Sequence, residues 1–321
     1  MSSLIESLNY TSEQLNRYLA PGIFIVGVVG NILNCLVLSQ RTLRSNPCAL
    51  LFLVSSFIDL ISILIGVPTR ILAGWHQDPT TTISWICKSR AFIVFSTRTM
   101  ATWLITLATI DRWLISSLNI HYRQMSNLKN IKRTIVITGI LSILTYIYML
   151  YCYEANITDA PLKCYGKSAS CRLINDLTYS FITIIIPLIL MIIFGLLTIS
   201  HVHHVHNRIH HTISGLKNMP STPKELHAKK IDRNLLRMLI IQVFLLTILC
   251  IPQVIEKFHV TLKPFGTESE LEDAIKTFLY NVEILLAFIA SSMPFYIYTL
   301  AGGNLFRKGF LDLIRRITNN H

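Results

Sequence analysis

Charge is scarce in this chain. Only 14% of its 321 residues are Asp, Glu, Lys or Arg, against about 25% in a soluble globular domain. That deficit excludes an ordinary soluble fold. Paired cysteines are missing too: the seven cysteines are scattered and form no CxxC motif. A dense disulfide scaffold is thereby excluded, while one or two bridges on an oxidising face remain open. The polar opening residues carry no basic segment or cleavage site of a secretory leader, so the first apolar run is expected to be a retained anchor. Nowhere does the chain contain HExxH, GxSxG or paired intramembrane acids, so no catalytic class is indicated and no cofactor is expected. There is no half-chain repeat of the sort common in transporters.

What the chain has instead is hydrophobicity: 52% apolar residues and a mean hydropathy of +0.51. A bilayer is crossed by about 20 apolar residues in helical form. Seven such runs occur, near 18–39, 48–73, 87–115, 131–153, 175–200, 235–257 and 275–300. The expected architecture is an all-α membrane protein of one domain over residues 1–321, with a seven-helix bundle over 18–300. An outer segment over 1–17 precedes it, and an amphipathic helix and tail over 304–321 follow it.

Seven crossings put the termini on opposite sides. With the N-terminus outside, 18 of the 29 Lys and Arg residues fall in inner segments and ten fall outside, leaving Arg98 within the third run. The positive-inside rule favours that orientation. The net charge of +12 therefore reads as a topology signal, and a nucleic-acid partner is not expected. Two Asn-x-Ser/Thr acceptors, at Asn9 and Asn156, both fall on the outer side and are candidates for glycosylation.

The third run can be measured. Cys87 and Arg112 are separated by 25 residues, about 37 Å of helix, where the hydrocarbon core is about 30 Å thick. Cys87 therefore stands just outside one face, and the adjacent Asp111 and Arg112 stand at the other, where charge meets water. Arg98, about 16 Å below Cys87 at helical rise, is an intramembrane charge and a functional candidate on that ground. Glu283 lies at comparable depth in the seventh run. The two are expected to pair at the floor of a pocket, with Arg70, Gln253, Glu256 and Asp176 along its rim. The tract His201–His211 places His203, His206 and His210 on one helical face. Its position at the inner end of the fifth run points to a solvated helical extension in preference to a zinc site.

Seven runs, a cysteine opening the third and Asp111-Arg112-Trp113 closing it resemble a rhodopsin-like G-protein-coupled receptor. The resemblance extends over nearly the whole chain. It includes Asn31 in "GNILN", Asp59 in "LVSSFIDL", and the helix prolines Pro187, Pro252 and Pro294. "NLFRKGFLDLI" resembles the short amphipathic eighth helix. Departures mark a divergent member. Met293 replaces the asparagine of the seventh-helix Asn-Pro-x-x-Tyr pattern, and Ile297 replaces its tyrosine, with Tyr298 one residue on. No tryptophan precedes Pro252, and Trp113 replaces a tyrosine.

The resemblance implies a plasma-membrane receptor whose partners are the lipid bilayer, an extracellular ligand and a heterotrimeric G protein. Asp111, Arg112, Trp113 and Tyr298 become the switch region. The resemblance also implies a bridge from Cys87 to the second outer loop, at Cys164 or Cys171. The spacing of Cys164 from Pro187 favours Cys164, leaving Cys171 to pair with Cys152 or to stay free. Val94 occupies the position where amine receptors carry an aspartate, which points away from an amine ligand. Charges of both signs favour a peptide, and the resemblance leans toward neuropeptide receptors such as the FMRFamide type. A chemosensory receptor for small molecules is the alternative within the same fold, and a transporter the distant one.

Overall fold

The computed structural model describes residues 2–117, 119–158, 160–213, 223–262 and 269–301, together with Phe306, Arg307, residues 309–311, Arg315 and Thr318. For residues 2, 41–42, 202–213, 223–233 and 260–262 it describes the backbone alone.

Seven helices are long and apolar enough to cross a membrane: α1 (Ser3–Leu38), α2 (Pro47–Ala73), α3 (Ser84–Ser116), α4 (Leu128–Cys152), α5 (Ala169–His201), α6 (Asn234–His259) and α7 (Glu270–Ser292). Helix suits such runs because it satisfies every backbone polar group internally where no water can. Side-chain caps fix where several of them begin. Asn46 accepts from the amides of Cys48 and Ala49 ahead of Pro47, Asn127 accepts from the Asn130 amide, and Ser269 accepts from the Glu272 amide. Each replaces a partner that the first helical turn lacks.

The crossings agree with the seven apolar runs, with one difference. α1 does not begin near Tyr18. It is helical from Ser2 through a π-helical segment, Leu15–Leu19, to Leu38. Its first four turns are polar and so carry no hydropathy signal. They pack against α7.

α3 is the most buried crossing and lies against α2, α4 and α5. One apolar cluster fills the half of the bundle near Arg112, with Phe52, Leu104, Ile105, Met191, Leu239 and Tyr298 among its members. A second, containing Ile63, Val67, Val94, Tyr280 and Phe288, sits toward the other end. Gly66 permits the approach of α2 to α7, since a Cβ there would collide with the Phe288 ring. Outside, α4 presents Val136, Ile137, Ile140, Leu141 and Leu144 as an exposed apolar face. Such a face is costly in water and matched in lipid.

The chain between α4 and α5 forms a two-stranded antiparallel hairpin, β1 (Tyr153–Glu154) and β2 (Tyr165–Gly166), pairing Tyr153 with Gly166 and Glu154 with Tyr165. Two disulfides pin it: Cys87–Cys164 to the head of α3, and Cys152–Cys171 from the end of α4 to the start of α5. The first is the pairing the resemblance favours; of the two possibilities open for Cys171, the structure has the bridge to Cys152. After α7, Met293 interrupts the helix and Pro294 restarts it as α8 (Pro294–Ala301). The eighth helix expected after Asn304 lies largely outside the described residues. So do the histidine side chains that follow His201.

Candidate functional site

Charged side chains enter the interior near both ends of α3 and midway along it. At the end near Ser116, Arg112 Nη2 lies 2.8 Å from Asp111 Oδ2, with both side chains almost wholly removed from water. The same nitrogen donates to Asn46 Oδ1 at 3.3 Å. Ser126, in the turn after α3, donates to the other Asp111 oxygen. Both charges are thus held by named partners, as buried charges must be. Trp113 packs its ring against Phe194 of α5 and Tyr122, at centroid distances of 5.1 and 5.5 Å. Nearby, Tyr298 donates to Gln242 Oε1 of α6 at 2.6 Å and stacks on Phe52. The four residues expected to form a switch therefore belong to one end of the bundle. Gln242, which ties Tyr298 to α6, carried no sequence signal.

Mid-bundle, Asn31 donates to the carbonyls of Gly27 and Ser291 and so joins α1 to α7. Asp59 is buried beside a cavity of about 30 Å³ that Arg98, Gln242, Cys250 and Ser291 also line. Here one expectation is corrected: Arg98 does not pair with Glu283. Its Nη1 donates to the Tyr179 hydroxyl at 3.3 Å, its guanidinium lies over the Phe288 ring at 4.7 Å, and it shares the small cavity with Asp59. The Phe288 ring offers the cation an attractive face without a second charge.

Lys257 dominates the half of the bundle beside the hairpin. Its ammonium is 1% exposed, lies 2.7 Å from Asp176 Oδ1, and sits over the rings of Tyr165 and Tyr280 at 5.3 and 5.0 Å. It also donates to the Tyr165 hydroxyl at 3.2 Å. Burial holds the Tyr165 phenol well above its ordinary pKa, so it stays neutral beside the cation. Hairpin, α5, α6 and α7 thus converge on one cation. No sequence signal marks this, because Lys257 ends an apolar run and reads as a surface terminus.

Beside it, the carboxyls of Glu256 and Glu283 reach one another across the α6–α7 interface. Both residues are buried, and neither forms an ion pair among the described residues. Asp176 and Glu256, expected at a rim, are therefore interior groups. Gln253 accepts from the Tyr179 hydroxyl at 2.9 Å. Val94 packs into the apolar cluster with Phe288 and Tyr280.

Arg70 closes the constellation toward α1. It lies 3.5 Å from Asp78 and donates to Asn281 Oδ1 at 3.3 Å, and Asn16 donates to the same oxygen. Arg70, Asp78 and Asn281 line a cavity of about 390 Å³ between the N-terminal turns, the α2–α3 connection and the hairpin. Asn9 and Asn156 are both exposed at this end.

Comparison with known proteins follows the same outline. The sequence model of the 7 transmembrane receptor (rhodopsin family) matches residues 30–298. The chain is 30% identical over 126 residues to the pyrokinin-1 receptor of Drosophila melanogaster, covering 39% of this chain and 29% of that receptor. It is 23% identical over 140 residues to a neuromedin U receptor homologue of Caenorhabditis elegans, covering 43% and 35%. It is 25% identical over 170 residues to the galanin receptor type 2 of Mus musculus, covering 53% and 46%. The matched segments thus span less than half the length of each of these relatives.

Proposed function

The chain belongs to the rhodopsin family of seven-transmembrane receptors, and on that basis we propose that it binds an extracellular peptide and activates a heterotrimeric G protein. The observation that carries the peptide reading is the outer half of the bundle. Buried groups of both signs converge there, with Lys257 and Asp176 joined and Glu256 and Glu283 facing each other. A lipid ligand calls for apolar walls, whereas a peptide brings charges and amides to match these groups. The matched relatives carry names of pyrokinin, neuromedin U and galanin receptors, which supports the neuropeptide branch.

Orientation follows from the same end. Two disulfides belong on an oxidising face. The exposed acceptors Asn9 and Asn156 lie with them, and the basic excess lies opposite. The N-terminus is accordingly assigned to the outside of the plasma membrane and Arg112 to the cytoplasmic face.

Peptide binding then acts on α6 from outside through Glu256 and Lys257. The inner part of the same helix holds Tyr298 through Gln242. Outward movement of α6 breaks that bond and opens the space beside Arg112. Released from Asp111 and Asn46, the guanidinium turns toward the G protein. A peptide library screened on cells expressing the receptor, read through calcium and cyclic AMP, tests this. A peptide response abolished by Arg112→Ala is expected. Responses to small molecules alone would move the assignment to a chemosensory receptor. A peptide response undiminished in Arg112→Ala would remove Arg112 from the switch.

A further inference from the structure

On the outer surface of the bundle, at the Arg112 end, α2 and α4 leave a groove of about 650 Å³. Leu50 and Val54 form one wall, and Leu128, Ile135 and Val136 the other. Arg44 and Lys132 stand at the same groove. The stripes are helical: residues 50 and 54 are one turn apart on α2, and residues 128, 132, 135 and 136 share one face of α4. An apolar trough with a basic group at one level is amphipathic in the same sense as a phospholipid.

The charge is uncompensated. Arg44 and Lys132 are both exposed, and neither forms an ion pair among the described residues. No acidic residue occurs between positions 39 and 58 or between 112 and 134, while Arg123, Lys129 and Arg133 add positive charge. Both flanking helices also start here, α2 at Pro47 and α4 at Leu128. Their positive dipole ends therefore point to the same level as the two side chains.

We propose that this groove is a binding site for an anionic phospholipid, whose phosphate headgroup is held by Arg44 and Lys132 and whose acyl chain lies along Leu50, Val54, Ile135 and Val136. The assignment of this end to the cytoplasmic leaflet, where anionic lipids are concentrated, rests on the proposed orientation. The site itself does not, since its chemistry is the same in a symmetric bilayer. Occupancy ties the connection before α2 to the base of α4, on the flank of the turn that holds Asp111 through Ser126.

Native mass spectrometry of the full-length purified receptor, equilibrated with equal amounts of phosphatidylserine and phosphatidylcholine, reads the site without requiring ligand or G protein. Preferential retention of phosphatidylserine is expected. A basic side chain near an anionic headgroup contributes about fivefold in affinity, so Arg44→Gln/Lys132→Gln should lose about 30-fold. Lys129→Gln, which leaves the groove lining untouched, should retain the preference and serves as the folded control. Equal retention of the two lipids overturns the proposal, as does a double variant that keeps the preference. Displacement by inorganic phosphate at the lipid's concentration overturns it as well, because an ion site would then suffice. Failure of the peptide screen leaves this readout unaffected.

Discussion

Lys257 Nζ and Asp176 Oδ1 meet at 2.7 Å with both side chains withdrawn from water, joining α6 to α5 beside the hairpin. A buried pair of this kind is asymmetric in its energetics. Removing one partner strands a charge and costs about 3–5 kcal/mol, whereas replacing both with apolar groups is close to neutral. Lys257→Met and Asp176→Leu are therefore each expected to lower the melting temperature of the purified receptor. The double variant should recover most of the loss. A double variant as unstable as the sum of its parents would show that the pair's other contacts, above all the Tyr165 and Tyr280 rings, carry the stability.

At the other end, Arg112 is restrained by Asp111 and Asn46. A hydrogen bond to a charged group contributes about 1.5–3 kcal/mol, or roughly ten- to a hundredfold in a two-state equilibrium. Asp111→Asn weakens the restraint while keeping the shape. Ligand-independent signalling should rise by about tenfold, and the rise should vanish when Arg112→Ala is added. Unchanged basal signalling in Asp111→Asn would mean that the pair is structural.

The two disulfides differ in the loops they close. Their sequence separations are 77 residues for Cys87–Cys164 and 19 for Cys152–Cys171. On chain entropy alone they contribute about 4.5 and about 3 kcal/mol. Replacing both members of a pair by serine should lower thermal stability more for the Cys87 pair than for the Cys152 pair. Peptide mapping under non-reducing conditions checks the connectivity directly. Cys87 found linked to Cys171 would contradict it.

The fold was legible in the sequence because hydropathy marks any helix that must satisfy its backbone in lipid, and six of the seven crossings start within six residues of the expected positions. The first did not, since its outer turns are ordered by contact with α7 and are as polar as a loop. At the site, Asp111, Arg112 and Cys87 were legible through position along a measurable helix. Depth marks Arg98 as a candidate but does not identify its partner. Depth alone cannot tell which way a long guanidinium stem turns, and the Phe288 face and the Tyr179 hydroxyl decided it. Lys257 carries no signal for the converse reason. A lysine at the end of an apolar run ordinarily extends toward water, and only the folded hairpin with Tyr165 encloses it.

That polar extension of α1 is tied to the end of α2 by close backbone contact. A Cβ on Gly74 would stand 2.7 Å from the Arg17 amide nitrogen and 2.9 Å from its Cα. Backbone cannot yield as a side chain does, so Gly74→Ala should cost about 1–3 kcal/mol locally. The Arg17 side chain, which donates to the Gly74 carbonyl at 2.9 and 3.1 Å and covers the Trp75 ring, would be displaced with it. Hydrogen exchange in residues 3–17 should accelerate in the variant. Protection equal to the parent would show that α7 alone holds the segment.

The acidic pair Glu256 and Glu283 provides the sharpest test of the peptide reading. Lys257, the adjacent cation, already holds Asp176 and lies under two aromatic rings. The two carboxyls face each other, with Lys257 and Lys276 acting on them from a distance and no ion pair of their own among the described residues. Two carboxyls in contact and out of water do not both ionise but share a proton, and an entering ammonium or guanidinium displaces that proton and satisfies both carboxylates. An activating peptide should therefore carry a basic group, and its replacement by a neutral isostere should cost about tenfold or more in potency, the scale of one charged hydrogen bond. Glu283→Gln and Glu256→Gln should each produce a similar loss for the basic peptide. The same substitutions should leave the neutral analogue's potency nearly unchanged, because that analogue never made the contact. Potency of the basic peptide that survives both substitutions would remove these carboxyls from the binding site and leave the cleft around Arg70 and Asn281 to supply recognition.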